Sequence, residues 1–456
     1  MPPRRSPRDG PHPRPGSRSP THLRRPQGRR RHRDPGPRSA AGLQARLPAL
    51  RPDRVPGPRP RPQDRRQGAG GGPGRPQKRG YQGSSTCCPT CDRAARFQRY
   101  AARRALTALG EVRLARAYYY CPRCRAGHCP HDGVLGLAAQ DLTPAARQLV
   151  ALAGTLTAFA EAAEKVLPKM AGLRVAESTA QRITEAAGAR LGAWLRAGRT
   201  FGPGRPWALG RDARGRSVAY VSVDATGVGM QGPGAKAAEG RMADVGLVFD
   251  AARPGRCRAL AGLYDLPELG AQLRRQAAQV GLGRADVWVA LTDGGSGLEE
   301  FMRVYFPRAE LVLDFYHAAE HLNELAKALS PGDEGRAAEV AAGWCHALKH
   351  EGGAAVLARL EGLDLRGKGA EARECHRQVV GYVRNNVGRM DYPRYRAEGW
   401  LIGSGHVEAA CKAVVGQRLK GNGMRWGEGG ADAVCHLRAL FKSEPGQWEA
   451  FWALAP

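Results

Sequence analysis

Residues 217–224 read Ser-Val-Ala-Tyr-Val-Ser-Val-Asp, a short β-rich run that ends on a carboxylate. A second run of this kind, Val-Trp-Val-Ala-Leu at residues 287–291, is followed closely by Asp293. Between the two runs, residues 266–280 carry apolar side chains at the spacing of an amphipathic helix. Strands that alternate with helices in this way predict a mixed α/β sheet over residues 215–320.

Three carboxylates occupy comparable settings: Asp224 in VSVDATGV, Asp293 in VALTDGGSG and Glu408 in IGSGHVEAACK. The first two end strand-like runs, at the sheet edge where such folds bind ligands, and the third opens a helix-like run that Ser404 and Gly405 can cap. A dehydrated carboxylate is costly unless a cation neutralises it, so the three acids predict a divalent-metal site of the kind that cuts or joins phosphodiesters. The local pattern leaves one alternative open, because an Asp after a strand also serves as a helix cap or turn residue.

Two Cys-x-x-Cys pairs occur among the eleven cysteines. No secretory apolar segment is present, so metal ligation in a reducing compartment is favoured over disulfides. Each pair places two thiolates on one turn, and residues 111–120 between the pairs alternate like a strand. Residues 84–140 therefore predict a zinc ribbon, with an incidental or redox role of the pairs as the alternative. The predicted ligands are Cys88, Cys91, Cys121 and Cys124.

Residues 142–200 have helical spacing. Thr143 and Pro144 are a good helix opening, and one apolar stripe is predicted to continue until Pro168 and Gly172 break it. A second helix is predicted from about Ser178. Two helices joined by a turn suit a helix-turn-helix, and an ordinary helical hairpin fits the pattern equally well. In a helix-turn-helix, the residues predicted to contact DNA are Thr179, Gln181 and Arg182.

The net charge of +29 predicts a polyanionic partner, with nucleic acid first. Residues 1–80 hold 22 Lys and Arg against 4 Asp, yet the rest of the chain still carries +11. This Arg/Pro/Gly-rich segment is predicted to be disordered, and is either a DNA-gripping arm or the product of a mis-assigned start. No apolar run reaches 18 residues, so we expect no membrane span and a cytoplasmic, nucleoid-associated protein. Ribbon arginines that could touch phosphates are Arg113, Arg116, Arg123 and Arg125.

Four stretches carry a resemblance to a known family: Tyr-Tyr-Tyr-Cys-x-x-Cys in the ribbon, VSVDATGV, LVLDFYHAAEHL, and residues 389–426 around Glu408. Over residues 84–456 the chain resembles bacterial insertion-sequence transposases with a DDE catalytic triad, of the ISKra type related to Mutator-like elements. The resemblance implies an RNase H-like fold in which the acids matching Asp224, Asp293 and Glu408 bind two Mg²⁺ (or Mn²⁺). It also implies a helical insertion, here residues 321–400, before a last part, 401–456, with the Glu-bearing helix and a tail.

The resemblance also gives roles to neighbouring residues. Asp314 and His317 match the family's Asp/Cys-x-x-His motif, which supports the site, although a helix-cap or core histidine is the alternative for His317. Lys412, one turn beyond Glu408, could reach a DNA phosphate. Tyr392 and Tyr395 lie near arginines, but no convincing Arg/His constellation for a tyrosine recombinase precedes them.

The implied function is a transposase that binds the terminal inverted repeats of its element, cleaves double-stranded DNA and transfers the strand to target DNA. At least two subunits are expected, because two ends must be held together. A transposase-derived DNA-binding regulator without catalysis and an RNase H-like nuclease are the alternatives.

Overall fold

The computed structural model describes residues 80–137, 141–253, 255–295, 297–421 and 423–454, so nearly all of the segment predicted to be disordered lies outside the described residues. The strands are β1 Ser85–Cys87, β2 Ala94–Thr107, β3 Gly110–Cys121, β4 Ala126–His128, β5 Val218–Gln231, β6 Ala237–Phe249, β7 Cys257–Gly262, β8 Val287–Thr292 and β9 Ala309–Leu313. The helices are α1 Pro130–Val134, α2 Pro144–Leu156, α3 Phe159–Glu161, α4 Leu167–Ala171, α5 Glu177–Arg196, α6 Leu266–Gln279, α7 Leu298–Tyr305, α8 Phe315–Leu329, α9 Glu334–Glu351, α10 Gly353–Glu361, α11 Ala370–Asn386, α12 Tyr392–Ala397, α13 Gly405–Ala410, α14 Gln417–Leu419, α15 Glu428–Lys442 and α16 Gln447–Leu454. Two π-helical segments, Ala162–Val166 and Cys411–Gly416, and three short 3₁₀ turns complete the described elements.

A five-stranded sheet of mixed orientation, in the order β7-β6-β5-β8-β9, forms the centre of the protein. β5, β8 and β9 are mutually parallel, whereas β6 runs antiparallel to both β5 and β7. The register pairs Ser222 with Leu291 and Thr292 with Leu313. The carboxyl ends of β8 and β9 and the middle of β5 therefore meet along one edge. The predicted mixed α/β class is confirmed.

Both faces of this sheet are covered, which explains the almost uninterrupted apolar runs of β5 and β8. Alternate residues of β5 point to opposite sides. Ala219, Val221 and Val223 pack with side chains of α5, α6 and α7, whereas Val218 and Tyr220 pack with side chains of α8 to α13. By the same alternation, Asp224 faces the side that α13 covers.

The cysteine-rich segment forms its own antiparallel sheet, in the order β1-β2-β3-β4. The strand predicted over residues 111–120 is β3, which pairs along its length with β2. The core of this sheet is small. Its buried side chains are Cys88, Ala95, Ala117, Tyr119 and Cys121.

The helix that Thr143 opens is shorter than predicted. Thr143 caps α2 through a hydrogen bond from the Ala146 amide (3.4 Å), but α2 ends at Leu156, so the prediction of one continuous stripe to Pro168 is wrong. The carbonyls of Gly154 and Thr155, at the end of α2, accept hydrogen bonds from Arg418 and Arg438. Helix ends leave such carbonyls free for outside partners, and these two partners come from the far end of the chain.

The helix resumes at Phe159 and passes through the π-helical segment Ala162–Val166 into α4. Pro168 lies inside this continuous helical run, just after the π-helical segment that interrupts the regular hydrogen-bond ladder, and it does not end the helix. Gly172 does, in the left-handed conformation (φ 65°) that glycine adopts easily. The second predicted helix is α5, which begins at Glu177.

The segment predicted as a helical insertion contains α9, α10, α11 and α12, with most of α8. Trp344 of α9 is buried in the core that these helices share with the sheet. Tyr392 and Tyr395 of α12 are buried as well, and their hydroxyls donate to the carbonyls of Leu313 (3.1 Å) and Leu311 (3.4 Å). Neither tyrosine is therefore placed to attack DNA. No described helix combines the length and the apolar character that crossing a membrane requires.

Candidate functional site

The two Cys-x-x-Cys turns bring four thiols together: the Sγ atoms of Cys88, Cys91, Cys121 and Cys124 all lie within 4.8 Å of one another. The Cys88 and Cys124 sulfurs are 3.9 Å apart, and those of Cys91 and Cys121 are 3.7 Å apart. Zinc–sulfur bonds of about 2.3 Å in a tetrahedron separate the sulfurs by about 3.8 Å. All four are free thiols, so these residues, here called the four-cysteine group, could hold a structural metal such as zinc.

Backbone geometry prepares one of these thiols for a metal. The amides of Thr90 and Cys91 hydrogen-bond to Cys88 and lower the pKa of its thiol to about 7. The thiolate is the form that binds metal, so this turn favours ligation at neutral pH. Cys87, the preceding residue, is exposed and lies outside the four-cysteine group; its thiol contacts the Asp92 carbonyl (3.2 Å) instead.

One arginine predicted on the ribbon surface is not there. Arg116 is buried and forms an ion pair with Asp132, which Arg103 also contacts (2.8 Å). Its guanidinium holds α1 against the sheet and cannot reach a phosphate, so that prediction is wrong. The other three, Arg113, Arg123 and Arg125, are exposed.

The three predicted acids line one cavity of about 240 Å³, here called the acid cleft. Asp224 enters it from the middle of β5, Asp293 from the residue after β8, and Glu408 from the first turn of α13. The parallel register of β5, β8 and β9 accounts for the approach of the first two. The lining residues are Val223, Asp224, Asp293, Asp314, Tyr316, His317, Glu320, Ser404, Val407 and Glu408.

Asp224 is the most constrained acid of the cleft. One carboxylate oxygen accepts the Ala225 amide (2.7 Å) and the other accepts the Cys411 thiol (3.4 Å). Burial raises the pKa of Asp224, and the negative charges of Asp293 and Glu408 raise it further, against those two hydrogen bonds. A carboxylate whose charge is disfavoured in this way is stabilised when a cation enters.

Asp293 is held by its own turn and by the helical segment. Its carboxylate accepts the Gly295 amide (2.9 Å), and its carbonyl accepts the Tyr382 hydroxyl of α11 (3.5 Å). Gly294, between Asp293 and Gly295, has φ 85°, and a Cβ there would lie 2.8 Å from the Leu313 side chain. The glycine after Asp293 is thus required by conformation and by space.

Glu408 is the most open of the three acids, with a side chain 48% exposed. Oε1 lies 3.2 Å from the Ser404 hydroxyl, and Oε2 lies 3.8 Å from Nζ of Lys412. Lys412 is 81% exposed, so this ion pair is weak and the ammonium is free to turn toward another anion.

Asp314 and His317 lie at the start of α8, on the wall of the acid cleft. Asp314 is buried and caps α8, accepting the Tyr316 amide (2.7 Å), while its other oxygen accepts from Ser404. His317 is neither a cap nor a core residue, because its side chain is 39% exposed, with Nδ1 3.5 Å from Glu320.

The sequence patterns missed part of this site. Ser404 was expected only to cap α13, but its side chain makes no cap hydrogen bond and contacts Asp314 and Glu408 instead. Its spacing, one helical turn before Glu408, was the available signal. Cys411 is a second such residue, because no local pattern pairs its thiol with Asp224.

The residues predicted to contact DNA lie at the start of α5, away from the acid cleft lining. Gln181 and Arg182 are exposed and Thr179 is half-buried. Gln181 bonds to Glu185 on its own helix (3.0 Å). Arg182 lines a shallow cavity of about 110 Å³ with Arg147 and other side chains. α2 and α5 pack together, as either a helix-turn-helix or a hairpin requires.

Oxygen ligands suit Mg²⁺ or Mn²⁺, and five carboxylates line the acid cleft: the three predicted acids, Asp314 and Glu320. Among the described residues, only the four-cysteine group brings three or more ligand atoms within 4.8 Å of one another, so the acids do not close around a single point. Two ions roughly 4 Å apart, each about 2 Å from its ligands, need a wider set of donors. As they stand, the three acids therefore do not all ligate one ion.

The chain matches no protein-family model, and no curated protein matches it.

Proposed function

We propose that this protein is a DDE-type DNA transposase, which cuts DNA at the terminal inverted repeats of an insertion sequence and joins the freed end to target DNA. The observation that carries the proposal is the acid cleft. Asp224, Asp293 and Glu408 are separated by 69 and 115 residues, yet they line one cavity. Acids gathered from three distant segments, with one disfavoured in its charged form, are typical of a site that holds divalent cations.

The sheet supports an RNase H-like assignment. Three parallel strands, β5, β8 and β9, are extended on one side by β6, which is antiparallel to β5, and then by β7, which is antiparallel to β6. Helices cover both faces. α8 to α12 lie between β9 and the Glu408 helix, where the resemblance expects a helical insertion. Tyr382 from this segment reaches Asp293, which gives the insertion a physical role at the acid cleft.

In this proposal Asp224, Asp293 and Glu408 would hold two Mg²⁺ ions, which supply Lewis-acid stabilisation of the phosphoryl charge. Neighbouring groups of the chain orient the carboxylates that would bind the ions. The Ala225 amide and the Cys411 thiol fix the Asp224 carboxylate, and the Gly295 amide fixes that of Asp293. Lys412 provides a mobile positive charge beside Glu408 for a DNA phosphate.

Double-stranded DNA is the proposed partner, both as inverted repeats and as target. The charge of +29 supports a polyanion, and the exposed ribbon arginines and the start of α5 are the proposed contacts outside the acid cleft. Zinc in the four-cysteine group would be structural, since four protein ligands leave no open position. We propose that at least two subunits act together, because two element ends must be joined.

The test is cleavage of a DNA fragment that contains one end of the element, with Mg²⁺ and purified protein. Asp224→Asn, Asp293→Asn and Glu408→Gln should each reduce the rate by about 100-fold or more, since each removes several kcal/mol of stabilisation of the reacting charges. Binding of the same fragment in EDTA should be unchanged or slightly tighter.

Glu324→Gln is the matched control, because this glutamate lies on α8 one turn beyond Glu320, is 67% exposed and does not line the acid cleft. It should cleave like the wild type. An Asp224→Asn variant that still cuts with Mg²⁺ would contradict the proposal. A wild type that binds ends without cutting would favour the regulator, and cutting without end preference or strand joining would favour the nuclease.

A further inference from the structure

Ser404 occupies the N-cap position of α13 but does not act as a cap. It is only 5% exposed, and its side chain makes no hydrogen bond to the helix that it begins. N-cap serines usually stabilise a helix by accepting an amide hydrogen bond from its first turn. The side chain of Ser404 is therefore free for another purpose.

That side chain lies between two carboxylates. Ser404 Oγ is in hydrogen-bonding contact with Oδ2 of Asp314 and lies 3.2 Å from Oε1 of Glu408. A hydroxyl has one hydrogen, so it donates to one carboxylate at a time. When it donates to Glu408, the Ser404 amide still donates to Oδ2 of Asp314 (3.1 Å), and the residue links the two acids. Asp314 is thereby connected to an acid on a helix that starts 91 residues later.

Asp314 cannot easily serve as a metal ligand itself. It is 2% exposed, and both of its oxygens accept hydrogen bonds: one from the Tyr316 and His317 amides, the other from the Ser404 amide (3.1 Å) and hydroxyl. A carboxylate committed in this way is a fixed anchor. Besides lining the acid cleft, Asp314 is connected to Glu408 through Ser404.

We propose that Ser404 is a positioning residue, which sets the Glu408 carboxylate for metal binding from an anchor on Asp314. The inference rests on the proposed function, because it concerns the geometry of the same three acids. Groups that hydrogen-bond to a ligating carboxylate orient it, and their loss typically weakens metal affinity or activity 10- to 100-fold.

Ser404→Ala isolates the hydroxyl. The Ser404 amide keeps its bond to Asp314, and the Phe315 amide keeps its bond to the Ile402 carbonyl (2.8 Å), so the segment before α13 stays docked. We expect the Mg²⁺ concentration for half-maximal cleavage to rise about 10- to 100-fold, and Mn²⁺ affinity of the DNA-free protein, measured by EPR, to fall by a similar factor.

Two further variants separate positioning from general stability. Ser404→Thr keeps a hydroxyl and should restore most of the metal affinity. Ser443→Ala is the control, because it removes a hydrogen-bonded serine hydroxyl that lies outside the acid cleft, at the end of α15. The Ser443 hydroxyl donates to the Ala439 carbonyl (2.9 Å) and accepts a hydrogen bond from the Ala259 amide (2.9 Å). Its metal dependence should equal that of the wild type.

Asp314→Asn covers the case in which Ser404→Ala folds poorly, because it keeps the shape of the anchor while replacing one acceptor oxygen with a donor. It should shift the Mg²⁺ and Mn²⁺ dependence in the same direction. The inference is overturned if Ser404→Ala or Asp314→Asn, folded, binds Mn²⁺ like the wild type, or if Ser404→Thr is as impaired as Ser404→Ala. Cleavage by Asp224→Asn would instead overturn the proposed function, so the two failures are distinct.

Discussion

Replacing Cys88 with serine should unfold the ribbon and leave the central sheet intact. The four sulfurs already have the spacing of a zinc tetrahedron. Serine supplies no thiolate, so the variant should lose the metal. We expect one zinc per chain in the wild type and less than a tenth of that in Cys88→Ser, measured by plasma mass spectrometry after dialysis.

The small core of the ribbon sets how much stability is lost with the metal. Two of its five buried residues, Cys88 and Cys121, are themselves members of the four-cysteine group, and Tyr119 is the only large one. Burial of one such side chain contributes about 1.5–3 kcal/mol, whereas zinc in a four-ligand site contributes an apparent ~10–16 kcal/mol. Without the metal, the long β2–β3 hairpin cannot offset its ordering entropy.

Hydrogen exchange is the assay that localises the effect. Amides of β2 and β3 should exchange about 1000-fold faster or more in Cys88→Ser, while amides of β5 and β8 keep their protection. Cys87→Ser is the matched control, since the Cys87 thiol is exposed and outside the four-cysteine group. A wild type purified without zinc, or equal zinc loss in Cys87→Ser, would refute the reasoning.

Other predictions concern stability. Burial raises the pKa of the half-buried Asp244 to about 6. The folded protein therefore holds this proton more tightly than the unfolded chain does. The contribution of Asp244 to stability is fully present below pH ~4 and is lost as the pH rises through about 6. Asp244→Asn should therefore increase the unfolding free energy at pH 7.5 by about 1–2 kcal/mol, allowing for partial exposure, and change little at pH 4; equal effects at both pH values would argue against burial as the cause. Gly188→Ala should lower the free energy of unfolding by about 1–3 kcal/mol, because its new Cβ meets the Ala433 carbonyl of α15. In Gly343→Ala on α9 the new Cβ meets nothing within 4 Å, and the free energy of unfolding should rise by about 0.5–1 kcal/mol. Chemical denaturation measures the free energy of unfolding of both glycine variants. An unchanged value for Gly188→Ala would show that α5 and α15 pack less closely.

Local patterns were sufficient where neighbours in sequence decide the structure. The apolar runs of β5 and β8 predicted strands, and parallel pairing then brought Asp224 and Asp293 to one edge. The Cys-x-x-Cys turns predicted the four-cysteine group because each turn fixes two thiols. Thr143 predicted the start of α2 through its own capping bond.

Distant partners account for the failures. α2 ends early where Arg418 and Arg438, more than 260 residues away, bond its last carbonyls. Arg116 is buried by Asp132, a partner that no strand periodicity reveals. Ser404 has the sequence of a cap, and only the approach of β9 to α13 shows that it faces Asp314 instead.

Anomalous diffraction from crystals grown with Mn²⁺ and a DNA end tests the metal site most directly. Two peaks roughly 4 Å apart should appear between Asp224, Asp293 and Glu408, with no peak on Asp314. Asp224→Asn crystals should lose at least one peak. An acid cleft without manganese, or manganese bound by other residues, would contradict the central claim.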